Sequence, residues 1–108
     1  DILDTCGTME NAINFLLDCK AKSILVVGTH GIFSRSLTTS DKPSILAEDR
    51  LRKAGVHVLI TDSIPRDEAY INKNAGWLTV VSIDRVFAEA IYQSSTIGGS
   101  VSKLFEGR

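Results

Sequence analysis

The amino-acid sequence predicts an α/β protein built on a parallel sheet with helices on both faces. Two observations carry this. Helix-periodic segments alternate with short apolar runs along the chain, the order expected of strand and helix units joined by right-handed crossovers. The first of those runs, Ile24-Leu25-Val26-Val27, is continuously apolar rather than alternating, which is how a strand reads when it is covered on both sides.

Element by element, an opening loop of residues 1–8 leads into an amphipathic helix over about residues 8–20. There Ala12, Phe15, Leu16 and Cys19 recur at helical spacing, with Glu10, Asn11, Asp18 and Lys20 on other faces. Residues 23–28 form the first strand, and residues 29–41 a polar loop. Pro43 suits the first turn of a helix that runs to Ala54, and Gly55 suits its end. Residues 56–60 form a second strand interrupted only by His57. Residues 62–74 read mostly as loop, because they hold Pro65, mixed charges and a turn-like Asn72-Lys73-Asn74. Residues 78–83 are the third strand. Asp84 is placed to cap a helix over about 85–93 with Val86, Phe87, Ala90 and Ile91 inward, and Ser100 to cap a final turn through Leu104 and Phe105.

Composition narrows the function classes. A chain of 108 residues suits one domain, without internal repeats or low-complexity tracts. Twelve Lys and Arg against thirteen Asp and Glu give a net charge of -1, so no field draws in nucleic acid or an acidic membrane surface. Two cysteines without paired histidines fit neither a disulfide framework nor a zinc site and suit a reducing, cytoplasmic setting. No apolar run of about 18 residues would span a membrane, and no leader is expected from the charged, then apolar, then small-residue pattern, although a clipped N-terminus would hide one.

Ligands of parallel sheets gather at the carboxyl ends of the strands. Three junctions belong there: the opening Asp1-Ile2-Leu3-Asp4-Thr5-Cys6-Gly7-Thr8, then Thr29-His30-Gly31-Ile32-Phe33-Ser34, then Thr61-Asp62-Ser63-Ile64-Pro65. In the first, the hydroxyls and amides of residues 5–8 face a helix N-terminus, which favours a phosphate. Asp1 and Asp4 are placed to bind sugar hydroxyls or a hydrated Mg²⁺. The competing reading is simple capping by Thr5 or Thr8. His30 is a candidate acid or base, against a structural role. Asp62 is a candidate sugar or metal ligand, against an Asx turn of its own. Cys6 reads as a small filler whose amide matters more than its sulfur, since no base lies close to activate it. Trp77, beside a core strand, reads as packing rather than as a base-stacking platform.

The opening octapeptide resembles the phosphoribosyl-pyrophosphate motif of the type I phosphoribosyltransferase fold, a Rossmann-like three-layer α/β architecture, as ribose-phosphate pyrophosphokinases use it. The Thr29–Ser34 and Thr61–Pro65 segments, Phe87-Ala88-Glu89-Ala90-Ile91 and Ser100-Val101-Ser102-Lys103-Leu104-Phe105 resemble the same family in order. The resemblance implies one phosphoribosyltransferase-like domain over residues 1–108, the carboxy-terminal one, with the amino-terminal domain absent and the sheet incomplete at the N-terminus. It implies transfer of a diphosphoryl group from ATP to ribose 5-phosphate, giving phosphoribosyl pyrophosphate and AMP, with Mg²⁺. Asp4, Thr5, Cys6, Gly7 and Thr8 would hold the 5-phosphate and adjoining sugar; Asp1 would lie by the ribose hydroxyls and Mg²⁺.

The same resemblance implies what is not here. The adenine site, a mobile basic loop and a metal-binding histidine come mostly from the other domain and a neighbouring subunit, so ATP would bind mainly outside this chain. No catalytic residue is assigned in it, and alone it should not turn over. A homo-oligomeric parent enzyme is expected. Ser100, Val101 and Phe105 match positions of a phosphate and ADP regulatory site between subunits, against a capped turn with Phe105 packed in the core. Arg35-Ser36 and the stretch to Pro43 depart from the family's usual Gly-Pro and shorter path, and Ile97-Gly98-Gly99 from its Asn-Gly-Glu. A non-catalytic synthetase-associated regulatory protein and a plain phosphoribosyltransferase are the alternatives. The intact Asp4, Thr5, Gly7 and Thr8 argue against the first, and the later segments against the second.

Overall fold

The computed structural model describes residues 1–36 and 44–106. In chain order its elements are β1 (Ile2–Leu3), α1 (Gly7–Asp18), β2 (Leu25–Gly28), β3 (His30–Gly31), α2 (Ala47–Lys53), β4 (His57–Thr61), α3 (Glu68–Asn74), β5 (Leu78–Val81), α4 (Asp84–Ser95) and a 3-10 turn, Val101–Leu104. Among the described residues the named strands pair in parallel throughout. β4 lies between β2 and β5, while β1 pairs with β3, which continues the line of β2 beyond Thr29. The register sets Val26 beside Val58 and Val58 beside Leu78, and Gly28 beside Ile60.

That register builds the core. Val26, Val58, Ile60 and Leu78 are buried together with Ile13 of α1, Ala47 and Leu51 of α2, Phe33 and Trp77. Three helices share this face. α1 is joined to α2 by the Glu10–Arg50 ion pair, and α2 to α3 by the Tyr70 hydroxyl donating to Glu48 Oε1 at 3.1 Å. Gly28 is required for β1 to lie alongside, because a Cβ there would meet Leu3 Cγ at 2.6 Å.

Helical cover differs from expectation on the other face. β2 alternates, with Val26 buried and Leu25 and Val27 59% and 61% exposed. α4 is followed by the 3-10 turn. It packs on that turn and buries none of its residues, so Val86, Phe87 and Ile91, expected inward, are exposed.

Several elements also differ from expectation: Ile2–Leu3 and His30–Gly31, expected as loop, are the short paired strands β1 and β3. α2 starts at Ala47, and the residues before it instead bridge back to the rim loop, where Arg35 pairs with Leu46 and the Ser36 hydroxyl accepts from the Ile45 amide; Pro43 lies outside the described residues. α3 was expected as loop. Asp67 caps it by accepting from the Tyr70 amide at 2.7 Å, and Asn74, expected in a turn, is buried at its end. The first helix ends at Asp18 rather than 20. Among the described residues no helix is long and apolar enough to cross a membrane.

Candidate functional site

The three junctions meet at the carboxyl ends of β1, β2 and β4, as expected, and hydrogen bonds weld them into one rim. The Asp1 carbonyl accepts from the Thr29 and His30 amides, and the Leu3 carbonyl from those of Ile32 and Phe33. Thr61 Oγ1 donates to the Thr29 carbonyl at 2.7 Å and Ser63 Oγ to the same oxygen at 3.2 Å. His30 Nδ1 lies 2.7 Å from Ser63 Oγ. His30 therefore ties the second loop to the third, which is its structural reading.

Residues 4–8 form the most open part of this rim. Cys6 takes left-handed angles, φ 60 and ψ 17, directly before the right-handed helix. Such a reversal turns successive amides toward one side. Among the described residues no side chain caps α1, so the capping reading of Thr5 and Thr8 fails, and the first-turn amides keep their open donors. Asp4, Thr5 and Thr8 are exposed around them. Cys6 is buried, and its thiol donates to the Asp4 carbonyl across 3.6 Å. Burial, with the Asp4 and Glu48 charges adding and Arg50 opposing, pushes that thiol up to about 11. It stays protonated, an inert filler beneath the loop.

Asp1 and Asp4 are both exposed, and neither enters an ion pair among the described residues. Two free carboxylates on a rim of open amides present a divided surface, cation-seeking on one side and anion-seeking on the other.

Comparison with known proteins gives the chain's relatives. No protein-family model matches the chain. It is 37% identical over 107 residues to the ribose-phosphate pyrophosphokinase of Bifidobacterium longum, covering 98% of the chain and 27% of that protein. It is 35% identical over 106 residues to ribose-phosphate pyrophosphokinase 3 of Saccharomyces cerevisiae, covering 98% of the chain and 29% of that protein. The chain is related to the ribose-phosphate pyrophosphokinases. A crystal structure of phosphoribosylpyrophosphate synthetase from Mycobacterium smegmatis superposes on 88% of the chain and 29% of its own, with a TM-score of 0.65 and 31% identity. The chain thus spans 27–29% of the length of these relatives.

Among the pyrophosphokinase-like segments, two behave otherwise than their residues suggested. Asp62 neither faces the rim as a ligand nor closes its own turn. Its Oδ1 accepts from the Ile83 amide at 3.0 Å, and the Ser82 hydroxyl and that amide hold its carboxyl below the ordinary value. It fastens the exit of β5. The segment at residues 100–105 does form the expected turn, with Ser100 Oγ accepting from the Ser102 amide at 3.2 Å. Phe105 is not core, being 85% exposed, and Val101 is exposed beside it. Hydrogen bonds tie this turn to Gln93 and Gly98 of the α4 end.

Trp77 packs as expected, 6.2 Å from the Phe33 ring, its Nε1 donating to Asn74 Oδ1. Sequence reasoning missed Arg66. Its Nη2 donates to the Gly31 and Ile32 carbonyls at 2.7 and 2.9 Å, and its only signal was a cation next to Pro65 at the third junction. Residues 37–43, most of the departing loop, lie outside the described residues.

Proposed function

We propose that this chain is the carboxy-terminal, sugar-phosphate-binding domain of a ribose-phosphate pyrophosphokinase, an enzyme that moves the β,γ-diphosphoryl group of ATP to the anomeric hydroxyl of ribose 5-phosphate and releases AMP. The observation that carries the reading is the uncapped, open N-terminus of α1 behind left-handed Cys6, set among exposed Asp4, Thr5 and Thr8. Relatives of that name along the whole chain support it.

In this reading the amides of Cys6, Gly7 and Thr8 and the hydroxyls of Thr5 and Thr8 hold the 5-phosphate, whose charge the helix dipole favours. Asp4 and Asp1 accept from the ribose hydroxyls. Mg²⁺ usually takes one or two carboxylates and leaves its other positions to water and phosphate; the exposed, unpaired Asp1, with Asp4 beside the loop, fits that need. When bound, the ion would neutralise diphosphate charge. The chain's own contribution is to bind and orient the sugar, since phosphoryl transfer is accelerated chiefly by positioning and charge. ATP is held mainly by parts of the enzyme beyond this domain.

Calorimetry of this chain should show ribose 5-phosphate binding that Asp4→Ala and Thr8→Ala each weaken by about 10- to 150-fold, the loss of one hydrogen bond to a charged group. Ribose without phosphate should bind far less. Equal affinity in both variants would remove the assigned loop from the site.

A further inference from the structure

We propose that Arg66 positions the Asp4–Thr8 loop for its sugar phosphate, acting through two peptide groups of the neighbouring rim loop; this rests on the ribose 5-phosphate reading above. The carbonyl of Gly31 and the amide of Ile32 belong to one peptide group, and the carbonyl of Ile32 and the amide of Phe33 to the next. Arg66 Nη2 donates to both carbonyls, at 2.7 and 2.9 Å. Both amides donate to the Leu3 carbonyl, at 2.9 and 3.1 Å. Leu3 in turn shares its peptide group with the amide of Asp4, the first residue of the loop. Three peptide dipoles thus run from a fixed positive charge to the start of the phosphate cradle.

Hydrogen bonds in such chains polarise one another, and a guanidinium never loses its proton. The alignment makes the Leu3 carbonyl a better-held acceptor and fixes the peptide plane that it shares with the Asp4 amide. Arg66 has no competing partner, for it joins no ion pair among the described residues and its Nε is buried without an acceptor. Two aromatic rings flank it. The guanidinium carbon lies 4.8 Å from the Tyr70 ring centroid and 5.9 Å from that of Phe33, within cation–π range. Tyr70 is anchored to α2 through Glu48.

The arrangement also explains the backbone of Phe33. An aromatic residue at φ 54 is strained and persists only when its surroundings over-determine it. The ring is buried against Trp77, and the peptide groups on its N-terminal side are held from above by Arg66 and from below by Leu3. Releasing either hold frees the loop to relax to negative φ, and Leu3 then loses the two amides that locate Asp4.

The test compares the full chain with Arg66→Met and Arg66→Lys, using ribose 5-phosphate calorimetry and amide hydrogen exchange of the ligand-free proteins. Arg66→Met should bind about fivefold more weakly, the size of effect seen for residues that act at a site they do not touch. Exchange at Ile32 and Phe33 should accelerate. Arg66→Lys should recover part of both, which a purely structural loss would not. A folded Arg66→Met with unchanged affinity overturns the proposal, even if its melting temperature falls. Should Arg66→Met fail to fold, Arg66→Lys carries the comparison, and affinity and exchange equal to those of the unaltered chain overturn it. If the unaltered chain binds no ribose 5-phosphate, the site reading fails, and Arg66 is judged on exchange: unchanged Ile32 and Phe33 rates overturn it.

Discussion

Raising the pH from 8 to 10 should destabilise this chain through one thiol. Cys6 is 6% exposed, and burial first, then the Asp4 and Glu48 charges, raise its pKa from 9.0 to about 11. Above pH 9 the unfolded thiol loses its proton while the folded one keeps it. The stabilisation is therefore complete below pH 9 and drains away as pH climbs toward 11. One pH unit in that window is worth about 1.36 kcal/mol, so about 1.3 kcal/mol disappears between pH 8 and pH 10. Cys6→Ala deletes the titration and, at pH 8, costs about 1 kcal/mol of lost packing.

Urea midpoints of both proteins at the two pH values isolate the effect, since Tyr70, itself pushed up to about 12 by burial and Glu48, is common to both. The stability gap between the chain and Cys6→Ala should close or change sign at pH 10. Parallel pH dependences would refute the buried, neutral thiol. So would rapid alkylation of Cys6 in the native chain at pH 8, where only exposed Cys19 should react.

Asp62→Asn should flatten the acid limb of stability. The Ser82 hydroxyl and Ile83 amide lower the Asp62 carboxyl, so the stabilisation is present above the ordinary value of 3.8 and lost as pH falls through the lower folded value; urea titrations at pH 5 and pH 3 would show it. Asp67→Ala should cost about 1 kcal/mol in a urea midpoint, because it removes the N-cap of α3. Leu51→Ala, at a site with no exposure, should cost about 2–5 kcal/mol, with a drop in melting temperature as the readout.

Which parts of the fold were legible follows from where the chain carries its periodicity. β2, β4 and β5 announce themselves because their apolar runs are short and bounded by Gly28, Gly55 and polar residues. α3 was hidden because its seven residues fully bury only Asn74, which accepts from Trp77 and donates to the Tyr70 carbonyl; Tyr70 alone adds an aromatic contact with the core, so no apolar stripe reports the helix. α4 misled in the opposite sense. Its apolar residues have true helical spacing, yet amphipathicity states that a face seeks cover without saying what covers it. The same holds for Leu25 and Val27 on the open face of β2.

The candidate site divides along another line, between side chains and backbone. Exposed carboxylates and hydroxyls can be read directly from residue types, so Asp1, Asp4, Thr5 and Thr8 stood out at once. What arranges them is carried by peptide groups, to which residue type is nearly silent. Nothing in the letter for Cys6 signals φ 60, and nothing in Phe33 signals φ 54, since both values run against the ordinary preference of a side chain with a Cβ. Strain of this kind needs an external restraint, and a restraint on peptide carbonyls has to come from a donor with spare hydrogens. Arg66 is the cation that meets this need at the Phe33 loop. In a site made largely of amides, the residue that sets the geometry is then found by asking which donor is left without a carboxylate, rather than which residue lies nearest the ligand.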